Sequence, residues 1–167
     1  MSARRSSEPN PTKNRTTVEP KSEREVVVTR TFDASARIVF QAWTTPALFK
    51  RWWVPKSMPL SLLSYEADIR VGGGYRLVFG VDGAKKMEFF GKYIEVTPHS
   101  RIVWTNDESG EDGAVTTVTL EEKGDKTLLV LHELYRSKEA RDAALASGAY
   151  GGMGETFEQL DELLVTL

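Results

Sequence analysis

The 167-residue chain contains no cysteine, which excludes disulfides, thiolate metal sites and a cysteine nucleophile together. Histidine is scarce as well, with His99 and His132 the only two. A two-histidine metal centre would need both to meet beside a carboxylate, and nothing in their spacing supports that, so no metal is expected. A strong charge imbalance is also missing. Lys and Arg number 22 against 24 Asp and Glu, a net charge of −2, which gives no electrostatic reason to expect nucleic acid or an acidic membrane surface as partner. No segment approaches the roughly 20 apolar residues that span a bilayer, and the N-terminus lacks the apolar stretch of a signal peptide. Membrane insertion is therefore not expected, and the expected location is cytoplasmic.

Several catalytic and cofactor signatures are absent too. No Gly-x-Ser-x-Gly elbow occurs, and no serine has a histidine placed to activate it. Gly72-Gly73-Gly74 is not followed by Lys-Ser/Thr and leads into a strand, so it reads as a hairpin turn rather than a phosphate loop. Gly151-Gly152-Met153-Gly154 precedes a helix but follows no strand of a βαβ unit, so it reads as a helix-breaking hinge. No cofactor is expected, and no catalytic residue is assigned.

What is present is the composition of a globular domain, with 40% hydrophobic and 28% charged residues. Residues 1–22 are rich in Ser, Pro, Asn, Thr, Lys and Arg with almost no large apolar side chain, and are expected to form a disordered, mildly basic arm. Residues 23–167 are expected to form one domain. Within it, Val26-Val27-Val28-Thr29 reads as a first strand. Ser35 or Asp33 can cap a helix carrying Ile38, Val39, Ala42 and Trp43 on one face. Pro46 suits the first turn of a second short helix reaching about Trp52.

After Pro59 the period changes. Segments near 60–69, 75–81, 86–97, 101–107, 114–122 and 126–135 are short, β-branched or aromatic, and separated by turn signals, the pattern of an antiparallel meander. Ser137 can cap a helix to about Ala146, and the glycines from Gly148 onward mark a break. Met153, Phe157, Leu160 and Leu164 then recur as one helical stripe, with Glu158, Asp161 and Glu162 largely outside it. An amphipathic helix of this kind must bury its stripe, and a sheet of six to seven strands is the large partner available.

Aromatic side chains are spread over nearly every element. On a concave sheet face beneath a helix they either fill a core or line a pocket. The expected wall residues are Tyr75, Tyr93, Trp104, Glu133, Met153 and Phe157, with Trp52 and Trp53 at the mouth. Strand alternation turns either His132 or Glu133 inward, as a hydrogen-bonding group or a buried acid or base.

A family likeness runs through the same residues. Thr29-Arg30-Thr31-Phe32-Asp33-Ala34, Val39 to Pro46 and Arg51-Trp52-Trp53 resemble the opening of the activator of heat-shock protein 90 ATPase homologue-like family, within the START-related SRPBCC superfamily. Gly72 to Arg76, Phe90 to Pro98, Thr117 to Leu120 and Phe157 to Leu160 continue the resemblance in order. It covers about residues 24–165. The resemblance implies an α+β helix-grip fold, like that of START and Bet v-like proteins, in which a curved antiparallel sheet wraps a long C-terminal helix over a hydrophobic cavity. It also implies three functional classes. The first is binding of a small hydrophobic molecule as carrier or sensor. The others are interaction with a chaperone or regulatory protein, and a cyclase-like or hydrolytic activity using a cavity carboxylate or histidine.

Overall fold

The computed structural model describes residues 15–81, 85–148 and 150–167. Eight strands pair antiparallel in one sheet of order β1-β2-β8-β7-β6-β5-β4-β3. They are β1 (Thr17–Ser22), β2 (Glu25–Phe32), β3 (Leu60–Ala67), β4 (Gly74–Val81), β5 (Lys85–Thr97), β6 (Arg101–Thr105), β7 (Val115–Lys123) and β8 (Lys126–Leu134). Four α-helices accompany them: α1 (Ala36–Thr44), α2 (Pro46–Trp52), α3 (Lys138–Ala146) and α4 (Met153–Leu164). A short 3₁₀ segment, Asp107–Asp112, follows β6 where a turn was expected.

The periodicities explain these elements. On β2 alternate residues from Val26 to Phe32 are buried, the period-two pattern of a strand with one face on a core. Ser35 is the cap of α1, its Oγ accepting from the Ile38 amide at 3.4 Å. Ser137 does the same for α3, accepting from the Ala140 amide at 3.1 Å. Pro46 opens α2, where a missing N–H costs nothing.

One expectation needs correction. The sheet has eight strands rather than six to seven, because Thr17–Ser22, assigned to a disordered arm, forms edge strand β1. All of its residues are exposed, and it is held by main-chain pairing to β2 from Thr17 opposite Thr29 to Ser22 opposite Glu25. Residues 1–14 of the expected arm lie outside the described residues. Asp161, expected to lie largely outside the helical stripe, ion-pairs with the buried Arg30 at 2.5 Å. Burial nevertheless pushes its carboxyl above the usual range, with Arg30 acting in the opposite direction.

The core is centred on α4. Phe157, Leu160, Leu163 and Leu164 of α4 are buried with Val39 and Trp43 of α1, Val28 and Phe32 of β2, Val118 of β7 and Leu129 and Leu131 of β8. Phe157 meets Phe32 edge-on, with centroids 5.6 Å apart. The same cluster continues over β3 to β6 through Tyr65, Leu77, Phe79, Tyr93 and Ile102.

Candidate functional site: an aromatic cavity over strands β3 to β6

A cavity of about 600 Å³ occupies the β3–β6 half of the concave face. Its floor follows strand parity. Tyr75, Leu77 and Phe79 of β4 stand opposite Gly91, Phe89 and Met87 of β5, and all of these except Gly91 line the space, with Tyr93, Ile102 and Trp104 continuing it. A bulge between Leu62 and Ser64 lets Leu60 and Tyr65, five residues apart on β3, both reach the wall. Trp43 and Phe49 enter from the helices, followed by the 53–58 segment. Ser147, Gly148, Gly152, Met153 and Thr156, flanking and beginning α4, complete the wall.

The helical side is built around Trp43, which lies within 4.9 Å of Trp52, 5.9 Å of Trp53 and 6.0 Å of Trp104, centroid to centroid. Phe49 stacks on Trp53 at 4.7 Å and leans on Tyr65 at 4.8 Å. Hydrogen bonds tie the 53–58 segment to α4. Gln159 donates to the Trp52 and Val54 carbonyls and accepts from the Lys56 amide, while Glu155 accepts from the Ser57 amide at 2.9 Å and from the Ser57 hydroxyl.

The polar content is sparse. Tyr75 donates to the Thr105 carbonyl at 2.7 Å and lies 3.3 Å from Asn106 Oδ1. The Asn106 amide donates to the Ala114 carbonyl and to Thr116 Oγ. Tyr65 and Tyr93 lie close enough for each hydroxyl to bear on the other's ionisation. Burial raises all three of these tyrosine hydroxyls above their ordinary range, because an apolar wall disfavours phenolate. No Asp, Glu, His, Lys or Arg is among the wall residues.

Five of the expected wall residues meet here: Trp53, Tyr75, Tyr93, Trp104 and Met153. Three do not. Trp52 and Phe157 are 0% exposed in the core, and the Trp52 indole N–H donates to the Ala42 carbonyl at 3.1 Å. Glu133 turns inward but lies beyond the wall. Its carboxylate accepts from Thr116 at 2.8 Å, from Tyr150 at 2.5 Å and more distantly from Tyr135 at 3.4 Å. Burial and the nearby Glu133 charge push Tyr135 up to about 12 and Tyr150 higher still.

The other strand-alternation candidate, His132, faces outward and pairs with Glu25 at 2.5 Å. His99 packs edge-on against Phe40, so the histidines do not meet. Sequence reasoning missed Tyr65, Leu77, Phe79 and Phe89. The last three share parity with Tyr75 and Tyr93, a signal already available in the alternation; Tyr65 was hidden by the β3 bulge.

Comparison with known proteins agrees with this architecture. The family described as "Activator of Hsp90 ATPase homolog 1-like protein" matches residues 33–165. The chain belongs to this family. Among solved structures, a Rhodobacter sphaeroides protein superposes with a TM-score of 0.83 at 24% identity, covering 91% of this chain and 99% of that one. Protein NE0264 of Nitrosomonas europaea gives 0.78 at 25% identity, covering 88% and 97%. Protein Ms6760 of Mycobacterium smegmatis gives 0.75 at 21% identity, covering 90% and 98%. These likenesses support an α+β fold built on a large antiparallel sheet. No curated protein matches in sequence. The family match starts at Asp33 and so covers α1 through α4, leaving β1 and β2 before it. No helix among the described residues is long and apolar enough to cross a membrane.

Proposed function

We propose that this activator-like family member binds a small apolar or amphipathic molecule in the cavity over β3 to β6, as a carrier or sensor. The observation carrying this reading is the cavity itself. At about 600 Å³ it lies within the range typical of ligand pockets, and its wall is aromatic and aliphatic with a few polar groups, as such pockets usually are. A domain of this size ordinarily fills its interior to crystal-like density, with few voids larger than a water molecule. Trp53, Tyr75, Tyr93, Trp104 and Met153 would contact the ligand, joined by Tyr65. Trp52, Phe157 and Glu133 would act from behind, the first two by holding Trp43 and Glu133 by fixing Tyr150.

Native mass spectrometry of protein isolated from its own host tests this. A retained small molecule of discrete mass, released by organic solvent, is expected. Ligand-free protein that also gains no thermal stability from a broad apolar panel would overturn the reading.

A second reading, interaction with a chaperone as the family description suggests, draws on Phe90 and Ile94, which are 39% and 50% exposed on β5. Stimulation of a chaperone ATPase that is lost in Phe90→Ser/Ile94→Ser would support it. The third class, catalysis by a cavity carboxylate or histidine, finds no such residue in the wall.

A further inference from the structure

The side-chain protons of the cavity wall can be counted, and the count narrows the ligand's chemistry. This inference rests on the cavity-binding reading and narrows it. Tyr75 spends its proton on the Thr105 carbonyl, both Asn106 amide protons are used, Ser147 donates to the Ala144 carbonyl and Thr156 to the Trp53 carbonyl. Tyr65 and Tyr93 differ. Both line the cavity, and among the described residues neither hydroxyl is hydrogen-bonded to a main-chain group or to a carboxylate. Their protons are thus available to a molecule in the cavity.

The indole N–H of Trp43 has no partner either, but it is fully buried and presents no surface to the cavity. The hydroxyl protons left to a ligand are therefore those of Tyr65 and Tyr93, and nothing ionisable except the neutral tyrosines borders the space. A buried donor left unpaired is costly, whereas a ligand acceptor meeting it recovers the bond. An anion would enter an apolar enclosure with no cation to pair it, a larger penalty.

We infer that the cavity takes an uncharged ring-containing molecule bearing a hydrogen-bond-accepting oxygen, of the aryl ketone kind, and that the Tyr65–Tyr93 hydroxyl pair holds that oxygen. Ring systems suit the walls because Trp43, Phe49, Trp53 and Trp104 present faces and edges for aromatic contact. The two hydroxyls also set specificity, since a hydrocarbon of the same shape would leave their protons unpaired.

Three pyrene probes of matched skeleton test this by fluorescence titration at pH 7.5: 1-acetylpyrene, 1-ethylpyrene and 1-pyrenecarboxylate. In the wild-type protein the ketone should bind about fivefold more tightly than the ethyl compound, the size of one neutral hydrogen bond, and the carboxylate at least about tenfold more weakly than the ketone. In Tyr65→Phe/Tyr93→Phe the ketone's advantage should shrink to within about twofold while ethylpyrene affinity holds, because the variant removes one hydrogen bond and leaves the apolar wall. Infrared spectra of the bound ketone supply a readout that needs no variant. Its carbonyl stretch should lie below the value in hydrocarbon solvent, as for a hydrogen-bonded ketone. A carboxylate that binds as well as the ketone, a ketone advantage that survives in the double variant, or an unshifted carbonyl would overturn this inference while leaving cavity binding intact. Saturable binding of none of the three would instead overturn the cavity-binding reading itself.

Discussion

Gln159 of α4 and Trp52 at the end of α2 are joined through the Gln159 amide, which donates to the Trp52 carbonyl at 3.0 Å. The same amide donates to the Val54 carbonyl at 2.9 Å, and its oxygen accepts from the Lys56 amide at 2.8 Å. One buried side chain thus satisfies three backbone groups just past a helix end, where intrahelical partners run out. It fixes the 53–58 segment, and with it Trp53, against α4. Gln159→Ala should cost about 2–4 kcal/mol in urea unfolding, since it strands buried polar groups. Gln159→Glu should also destabilise, because a carboxylate cannot donate to two carbonyls. Wild-type stability in both would show that the clamp does not hold the segment.

Gly91 faces Tyr75 across β4 and β5. A Cβ there would fall 1.9 Å from the Thr105 carbonyl oxygen and 3.0 Å from Tyr75 Cε1, so the empty position lets the Tyr75 ring cross the strand and reach Thr105. Gly91→Ala is expected to lose about 1–3 kcal/mol, as overpacking does. It should also displace Tyr75, seen as a changed aromatic circular dichroism signal. Unchanged stability and spectrum would contradict that geometry.

Phe157 is completely buried and its ring lies 5.6 Å from Phe32 and 6.4 Å from both Trp43 and Trp52. Phe157→Ala should cost about 3–5 kcal/mol through lost transfer energy and the cavity left behind. A loss below about 1 kcal/mol by chemical denaturation would place the residue on the open cavity instead of in the core.

The contrast between Phe157 and Tyr93 shows what was legible in the sequence. The stripe on α4, the caps at Ser35 and Ser137 and the alternation along β4 and β5 are local patterns, and each predicts which side of an element is buried. Which half of the concave face stays open is not local. It depends on where α4 comes to rest, set by Phe157 against Phe32 and by Gln159 against residues more than a hundred positions earlier. Phe157 and Trp52 therefore looked like wall residues and proved to be core. Strand β1 was missed for another reason. With Pro20 and Lys21 in a strand exposed along its whole length, it has no apolar alternation to detect, and proline is tolerated there because an edge strand does not need every N–H.

All five tyrosines of the chain, Tyr65, Tyr75, Tyr93, Tyr135 and Tyr150, are raised by burial. The fold therefore favours their neutral forms. Their contribution to stability is fully present below the unfolded tyrosine value of about 10 and falls as pH rises past it towards the raised folded values, because only the unfolded chain ionises readily there. Absorbance at 295 nm should stay flat through pH 10 and then rise in one cooperative step together with loss of the circular dichroism signal. Gradual ionisation centred near pH 10 in a chain that remains folded would show the hydroxyls to be solvated.

Met153 begins α4 and lines the cavity, so enlarging it should fill space without disturbing the core around Phe157. The most direct test of ligand binding is the dissociation constant of a neutral polycyclic probe, 1-acetylpyrene, in the wild type and in Met153→Trp of equal melting temperature. Saturable one-to-one binding by the wild type, weakened at least about tenfold in the variant as volume is taken from a pocket of this class, is the predicted result. Equal affinity in the two proteins, or no saturable binding by the wild type, would contradict it.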